Sequence, residues 1–497
     1  MSHLRGNDIL WGVDHSVGTL TEVLFFLESY EIWGGRPLAG EVKVSGAKNA
    51  VLPILAASVM VKGETVLERC PDLADVDHMC EILEHLGCRV SREGDCLRVD
   101  ASGVRCCSIP DPMMKQLRSS VFLAGPLLAR CHQAVLSSPG GCAIGQRPID
   151  LHLHGLMKLG AVIRERHGRM FALAPKLTGS EVTLTYPSVG ATENLMMAAS
   201  LAHGATVIRN AAREPEIGDL QNFLNGCGAQ ISGAGTSEIR ILGVKELRPT
   251  HYRIMGDRIE GGTYLMAAAI TGGTVTVVGV EPSWIGEELR VLERMGCVLI
   301  RERRGDEPAI TLRSPEVLLS PGEVTACPWP GFSTDLQSPL LALCTRAEGK
   351  TTVVDDVFEN RFQCAEELRK LGTEIRVEGR KAVVFGSTEK RPTVKRTLVA
   401  GDLRGGAALV VAALGNPGCI IVENICHIAR GYGKFDIVLN NIGACIGKRE
   451  TYERETTGDS ENNTEKKEEK EKALSAEIHH SGDPGGGNSL SVNVASV

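Results

Sequence analysis

The residues best suited to chemistry in this sequence surround one cysteine in a glycine-rich segment. Residues 139–150 read PGGCAIGQRPID, which places Cys142 directly after two glycines and Arg147 five residues further on. Glycines favour a backbone that can move, and a nearby guanidinium lowers the pKa of a thiol or binds a phosphate. The segment therefore indicates a reactive thiol, although composition alone favours Cys142 being one of sixteen cysteines that mostly pack as small apolar side chains.

The common catalytic and binding motifs are absent from the sequence. There is no GxGxxG after a predicted strand, no GxxxxGK[ST], no HExxH and no nucleophile elbow. Cysteine pairs with CxxC spacing are absent as well, which argues against a zinc site of that type. Dinucleotide, ATP and zinc-dependent functions are therefore disfavoured.

Composition and charge exclude further classes of protein. A content of 43% hydrophobic and 23% charged residues is ordinary for a globular protein, and the longest apolar stretches are too short or interrupted to span a membrane. From residue 450 onward the chain carries a charge of −6, so the remainder is close to neutral at −1. We expect no nucleic-acid surface, and an anionic ligand must be held by locally gathered arginine and lysine. Without a secretory signal, we expect reduced cysteines and a cytoplasmic location.

Six copies of one pattern organise the chain. Each copy ends an amphipathic helix with an apolar residue and a glycine, followed by a small residue and an apolar strand. The glycines are Gly87, Gly160, Gly228, Gly296, Gly372 and Gly443, at spacings of 73, 68, 68, 76 and 71 residues. Each glycine is predicted to cap its helix in the left-handed conformation. Six copies in 497 residues predict two domains of three units each, with helices packed inside sheets.

Both ends of the chain fall outside the repeats. The role of residues 1–30 cannot be assigned from their sequence. Residues 449–497 are rich in Glu, Lys, Asn and Thr, without an apolar period, and they contain three consecutive glycines at 485–487. This composition predicts a disordered acidic tail.

Seven motifs together resemble one enzyme family, UDP-N-acetylglucosamine 1-carboxyvinyltransferase. They occur in the family's order between about Trp33 and Lys448: VSGAKNA at 44–50, the Cys142 segment, YPSVGAT at 186–192, GFSTD at 331–335, FENRF at 358–362, DLR at 402–404 and HIARGY at 427–432. The resemblance implies an α/β fold of two inside-out barrels, like that of EPSP synthase, each made of three βαβαββ-type repeats. It implies one domain at 48–256 and a second at 31–47 with 257–448.

The resemblance also implies a reaction. The enolpyruvyl group of phosphoenolpyruvate would move to the 3-hydroxyl of UDP-N-acetylglucosamine with release of phosphate, as the first committed step of peptidoglycan synthesis. The residues given catalytic roles are Cys142 as general acid, Asp335 as base, and the cations Lys48 and Arg430. Around phosphoenolpyruvate the family places Lys48, Asn49, Arg118, Arg147, Arg404 and Arg430. Along the nucleotide sugar it places Arg147, Pro148, Ile149, Asp150, Leu151, Tyr186, Pro187, Ser188, Val189, Asp335 and Val357. No metal, cofactor, nucleic acid or membrane insertion is implied.

Two alternatives remain open. The first is 5-enolpyruvylshikimate-3-phosphate synthase, which shares the fold and the donor, although that family lacks the cysteine segment. The second is a catalytically inactive paralogue that senses the nucleotide sugar, and the presence of Lys48, Cys142 and Asp335 argues against it. The chain also departs from the family, with Ala429 where many relatives carry Asp and Tyr186 where some carry Lys.

Overall fold

The structure is a computed structural model that describes residues 22–137, 149–388 and 395–456. Residues 28–449 form one compact unit. A second unit consists of residues 1–27 with 450–497, and of it the structure describes only the outer ends of two strands.

Strands and helices alternate along the described residues. As far as residue 253 they are β1 (Glu22–Gly34), β2 (Ala39–Lys43), α1 (Lys48–Ser58), β3 (Glu64–Glu68), α2 (Ala74–Leu86), β4 (Arg89–Glu93), β5 (Cys96–Asp100), α3 (Asp111–Gln116), α4 (Ala124–Cys131), β6 (Gln133–Ser137), α5 (Asp150–Lys158), β7 (Val162–Arg166), β8 (Arg169–Leu173), β9 (Glu181–Thr183), α6 (Val189–Ser200), β10 (Ala205–Arg209), α7 (Pro215–Gly226), β11 (Gln230–Ser232), β12 (Glu238–Leu242) and β13 (His251–Arg253). The remaining elements are α8 (Arg258–Thr271), β14 (Thr274–Val278), α9 (Gly286–Arg294), β15 (Val298–Arg304), β16 (Glu307–Arg313), β17 (Glu323–Ala326), α10 (Thr334–Cys344), β18 (Gly349–Asp355), α11 (Cys364–Arg369), β19 (Glu374–Glu378), β20 (Lys381–Gly386), β21 (Arg396–Val399), α12 (Leu403–Gly415), β22 (Gly418–Glu423), α13 (Cys426–Ala429), α14 (Phe435–Asn441) and β23 (Ile446–Thr456). Short 3₁₀ helices cover Arg118–Leu123 and Pro282–Ile285.

The innermost helices are buried on every face and mostly apolar. In α1, α6, α8, α10 and α12 nearly every residue is buried, and small side chains such as Ala and Gly let these helices approach one another. A helix that is hydrophobic all round must lie in an interior. The helices α8, α10 and α12 pack against each other, with sheets on their outer side. The predicted arrangement of helices inside sheets is confirmed.

Six sheets surround these helices, and the described residues contain no closed barrel. Five sheets have four strands and one has three; their strand orders are β13-β3-β5-β4, β6-β8-β7, β11-β12-β10-β9, β15-β16-β14-β2, β17-β18-β20-β19 and β21-β22-β1-β23. The sheet of β9 to β12 shows the repeat in full, as strand, helix, strand, helix and two further strands. The three-stranded sheet lacks the strand that comes first in the repeat. In its place there is one parallel bridge between Ser108 and Val135.

Two segments of the chain cross between the two halves of the protein at the same place. β2 pairs in parallel with β14, so this N-terminal strand joins a sheet of the second half. β13 pairs in parallel with β3, so this later strand joins a sheet of the first half. The two crossing segments run antiparallel through a bridge between Gly46 and Gly256, and the amide of Ala47 donates to the carbonyl of Met255 at 2.8 Å. An N-terminal strand, β2, therefore belongs to a sheet built from the second half of the chain.

Strand β1 begins inside the segment that the sequence leaves unassigned. Ser29 and Tyr30 pair with Glu423 and Val422 of β22, so the boundary of the N-terminal extension lies before residue 30. Sequence repeats did not reveal this strand because it takes the third place in the sixth sheet, far along the chain from its partners β22 and β23. At the other end β23 runs to Thr456, beyond the predicted start of the tail at residue 449, and residues 457–497 lie outside the described part.

Buried apolar side chains fall into two clusters. The first core extends from Ala47 to Met255, and the second core combines residues 30–44 with residues 259–446. Trp284 packs against both. The domain boundaries at 48–256 and at 31–47 with 257–448 stay a prediction, which the two cores support.

The recurrent glycines adopt the predicted backbone conformation. All six have a positive φ, from 86° at Gly372 to 105° at Gly87. At Gly87, which caps α2, an added Cβ would also lie 2.5 Å from the carbonyl oxygen of Gly103. At Gly228 nothing lies within 4 Å of that position. Gly87 is therefore required by both conformation and space, and Gly228 by conformation alone.

These two sites separate the two requirements experimentally. Gly228→Ala should cost roughly 1–2 kcal/mol, since an L side chain is strained in the left-handed region. Gly87→Ala should lower the thermal unfolding midpoint further, because the Gly103 carbonyl must also move. Thermal unfolding followed by circular dichroism measures both, and equal midpoints for the two variants would contradict this explanation.

Candidate functional site

Helix starts are brought together where the chain crosses between the cores. The carboxylate of Asp257 caps α8 by accepting from the amides of Ile259 and Glu260, at 2.8 and 3.0 Å. Its second oxygen accepts from the amide of Lys48, the first residue of α1, at 3.0 Å. One buried side chain therefore fixes the starts of two helices.

Asp335 gathers three donors near the start of α10. Its carboxylate accepts from Arg404 at 2.8 Å, from Asn49 at 3.3 Å, and from Arg361 on its other oxygen. Arg404 is held in turn by the Tyr432 hydroxyl at 3.3 Å. Both arginine side chains are almost completely buried. The arrangement joins the second core to α1 of the first core.

Asp75 gathers a second pair of cations. Its carboxylate lies 2.6 Å from Nζ of Lys48 and accepts from Nε of Arg430 at 2.9 Å. Asp75 is the second residue of α2, where the helix dipole also favours a negative charge. Two carboxylates, those of Asp75 and of the predicted residue Asp335, thus bring four other predicted residues into one site: Lys48, Asn49, Arg404 and Arg430.

The charges in this site perturb one another strongly. Burial by itself raises the pKa of Asp335, but Arg404 and Arg361 outweigh it and hold that pKa far below its usual range. Burial lowers the pKa of Lys48, and Asp75 opposes that effect. The pKa of Asp75 is lowered because Lys48 and Arg430 outweigh its burial. In this arrangement the carboxylates are anions and Asp335 is a weak base.

The side chains predicted to line the nucleotide sugar are distributed over three helix starts and a loop. Ile149 immediately precedes α5, which begins with Asp150 and Leu151. Tyr186 is 41% exposed, Pro187 follows it, and Ser188 caps α6, which begins at Val189. The amide of Val357 donates to Asp355 at 2.9 Å. Their contacts with a ligand stay a prediction.

Part of the predicted site lies outside the described residues. This holds for Cys142, Arg147 and Pro148, and for the side chain of Arg118, whose backbone begins a 3₁₀ helix. The role of Cys142 as proton donor therefore stays a prediction.

Four site residues were not assigned a role from the sequence. Arg361 and Tyr432 stand in the quoted motifs FENRF and HIARGY, so their presence there was the available signal. Asp257 follows a crossing strand and precedes an apolar helix, which is the pattern of a helix cap. Asp75 carried no signal, because acidic residues in a first helical turn are common.

The described residues show neither a metal-binding cluster nor a membrane-spanning helix. Within the described ranges, no group of three or more His, Cys, Asp or Glu side chains is arranged to hold a metal ion. The helices described are also too short, or insufficiently apolar, to cross a membrane.

Comparison with known proteins agrees with this fold. Residues 32–439 match the family model of EPSP synthase (3-phosphoshikimate 1-carboxyvinyltransferase), which places the protein among the enolpyruvyl transferases. A solved relative, the enolpyruvyl transferase NikO from Streptomyces tendae, superposes with a TM-score of 0.76 at 26% identity, covering 86% of this chain and 99% of that one.

Sequence relatives narrow the class further. UDP-N-acetylglucosamine 1-carboxyvinyltransferase 2 of Caldanaerobacter subterraneus subsp. tengcongensis is 49% identical over 84% of this chain and 98% of its own length. UDP-N-acetylglucosamine 1-carboxyvinyltransferase 1 of Symbiobacterium thermophilum is 48% identical over 85% of this chain and 95% of its own length. The chain belongs to the UDP-N-acetylglucosamine 1-carboxyvinyltransferase family.

A buried acidic side chain near the crossing is unusual. Glu193 of α6 is 1% exposed, and neither carboxylate oxygen has a hydrogen-bond partner among the described residues. Burial, and then the neighbouring Glu216 and Glu214, raise its pKa well above the ordinary value. Glu216 itself pairs with Arg258, with 2.9 Å between Nε and Oε1.

The sign of this shift gives a pH-dependent prediction. The folded state keeps the Glu193 proton to a higher pH than the unfolded state, so its contribution to stability falls as pH rises above the ordinary glutamate value. Glu193→Gln stays neutral and should raise the melting temperature relative to the unaltered protein more at pH 8 than at pH 5, by about 2 °C or more. Thermal unfolding at both pH values tests this, with the exposed Glu165→Gln as control. A difference that does not change with pH would contradict it.

Proposed function

We propose that this chain transfers the enolpyruvyl group of phosphoenolpyruvate to the 3-hydroxyl of UDP-N-acetylglucosamine and releases phosphate, in the first committed step of peptidoglycan synthesis. The observation that carries the proposal is the gathering of Lys48, Arg361, Arg404 and Arg430 around two carboxylates, in a family whose named relatives carry this activity. A protein with little net charge outside its tail would not otherwise concentrate cations in one place.

The cations fit the donor substrate. Phosphoenolpyruvate carries close to three negative charges, and charge-assisted hydrogen bonds must replace the hydration that these charges lose on binding. Lys48 and Asn49 approach from the first core and Arg404 and Arg430 from the second, so a ligand between them would be held from both sides. The same cations would stabilise the charge that develops on the phosphate as it leaves.

The reaction needs both a proton donor and a proton acceptor. The methylene carbon of phosphoenolpyruvate gains a proton while the sugar oxygen bonds to the neighbouring carbon; loss of phosphate and of a proton from the methyl group then restores the double bond. By resemblance, Cys142 is assigned the role of donating the proton to the methylene carbon. Asp335 is assigned the role of accepting the proton of the hydroxyl group. Because Arg361 and Arg404 depress the basicity of Asp335, it accepts that proton only after those arginines turn towards the ligand.

The nucleotide sugar is assigned to the residues around Ile149 to Leu151, Tyr186 to Val189, and Val357. Tyr186 is exposed enough to contact a ligand, and it stands where some relatives carry a lysine. The cytoplasmic location and the absence of a cofactor stay predictions. The alternative that acts on a shikimate acceptor is disfavoured, because close relatives are named UDP-N-acetylglucosamine 1-carboxyvinyltransferase.

Phosphate release tests the function directly. With phosphoenolpyruvate present, UDP-N-acetylglucosamine should support release and shikimate 3-phosphate should not. The reverse preference would establish the alternative enzyme, and no release with either acceptor would favour an inactive sensor.

Asp335→Asn tests the assigned base. Turnover should fall by about 100-fold or more while affinity for the nucleotide sugar changes little, because an amide can hydrogen-bond the hydroxyl but cannot take its proton. Asp306→Asn, in an exposed turn between β15 and β16, is the matched control. Turnover of Asp335→Asn near that of the control would place the base elsewhere.

Cys142 should be the preferred target of a phosphonate epoxide such as fosfomycin. The cations attract the phosphonate, the thiolate sulfur bonds to an epoxide carbon, and the opened oxygen takes a proton. Bound nucleotide sugar should accelerate the reaction, and Cys142→Asp should escape it while keeping activity. Peptide mass spectrometry measures the modification, and labelling spread over several cysteines would contradict the assignment.

A further inference from the structure

Asp75 is a buried carboxylate that lies between two cations. Only 2% of the residue is exposed, and its two oxygens face Lys48 Nζ at 2.6 Å and Arg430 Nε at 2.9 Å. A second contact from Arg430 to the oxygen that faces Lys48 measures 3.5 Å. A carboxylate with two cations on its oxygens has the geometry expected of a bound substrate carboxylate or phosphate.

The two cations differ in how easily they can leave Asp75. The Lys48 side chain is 11% exposed, and its backbone is tied to Asp257 at the start of α1. The Arg430 side chain is 42% exposed and follows the short helix α13. Separating Arg430 from Asp75 therefore costs less than separating Lys48. Water can solvate the exposed guanidinium, and Asp75 keeps Lys48 as a partner, whereas separating Lys48 leaves a buried ammonium unpaired.

The contact also links the two cores. Asp75 and Lys48 belong to the segment of the first core, and Arg430 belongs to that of the second. Nearby, Lys434 lies 3.8 Å from Asp72, a second and more exposed pair across the same junction. A ligand that attracts Arg430 changes a contact that joins the cores.

We propose that Asp75 is a positioning residue that stands in for the substrate anion: it keeps Lys48 charged and pairs Arg430 until phosphoenolpyruvate binds and takes Arg430 by exchange of ion pairs. This inference rests on the proposed function for the identity of the anion. It assigns Asp75 a role in setting the affinity for phosphoenolpyruvate, with no direct part in the chemistry.

The exchange has a pH-dependent consequence. The charged groups that face Lys48 are Asp75 from α2, Arg404 from α12 and Arg430 beyond α13, and of these only Asp75 raises the pKa of the lysine. Burial and both arginines lower it. Without Asp75 the pKa of Lys48 falls further, so the ammonium is present at lower pH and is lost as pH rises through the new, lower value.

The test measures binding of phosphoenolpyruvate by calorimetry between pH 6 and pH 9. At pH 6, Asp75→Asn should bind at least as tightly as the unaltered protein, because the competing anion is gone and Lys48 is still charged. As pH rises towards 9 the variant should lose affinity relative to the unaltered protein, by up to about tenfold for each unit by which the pKa of Lys48 falls. Comparing proteins at the same pH cancels the ionisation of the ligand.

Two variants on the same helix and its start serve as controls. Asp72→Asn removes a nearby negative charge that pairs with Lys434, and its affinity should follow that of the unaltered protein at every pH. Asp75→Glu keeps the charge and should restore the normal pH dependence even if its affinity differs. If Asp75→Asn does not fold, Asp75→Ser replaces it in the same comparison.

The outcomes separate this proposal from the proposed function. A constant ratio of affinities between Asp75→Asn and the unaltered protein from pH 6 to pH 9 would overturn the positioning role, even with normal turnover. Binding can be measured without turnover, so failure of phosphate release would count against the function alone. If the unaltered protein does not bind phosphoenolpyruvate, the function fails, and inorganic phosphate becomes the probe for Asp75.

Discussion

The doubled crossing at Gly46 and Gly256 is the constraint on which the rest of the structure depends. An added Cβ at Gly46 would lie 1.8 Å from the carbonyl oxygen of Arg69, and one at Gly256 would lie 1.9 Å from that of Gly279, so neither position tolerates a side chain without movement of backbone. The two crossing segments are joined by the bridge between Gly46 and Gly256, and beside this bridge Asp257 holds the starts of α1 and α8 with one carboxylate. The positions of Lys48 and Asn49 relative to the second core follow from that contact.

The site built on this crossing is stabilised by its own anions. Arginine and lysine side chains buried without partners would carry a large desolvation cost. Asp335 and Asp75 offset that cost for Arg361, Arg404 and Lys48. The same pairing lowers the basicity of Asp335, so a site that is stable without ligand is poorly prepared for proton transfer. Under the proposed function, binding of an anion would rearrange these pairs before the chemistry begins, which would link affinity to catalysis.

Sequence reasoning predicted those features that are encoded by local pattern. Each of the six glycines ends a helix, so their spacing gave the number of repeats. An apolar helix such as α12 must lie in the interior, so the sequence also indicated helices packed inside sheets. The cations Lys48, Arg404 and Arg430 followed from motifs. Strand β1 and Asp75 could not be found in this way, because the partners of β1 lie about four hundred residues away and Asp75 acquires its importance only from Arg430, which approaches from the other core.

The position of β1 also bears on the order in which the chain can assemble during synthesis. The sixth sheet needs β1 between β22 and β23, so β1 must wait for strands that are made about four hundred residues later. The first core, by contrast, is complete once β13 has paired with β3, long before the second core has its remaining strands. Domains generally fold as units while the chain emerges, and distant pairings form slowly. Until β22 and β23 have been made, β1 lacks the partners that it has in the folded protein.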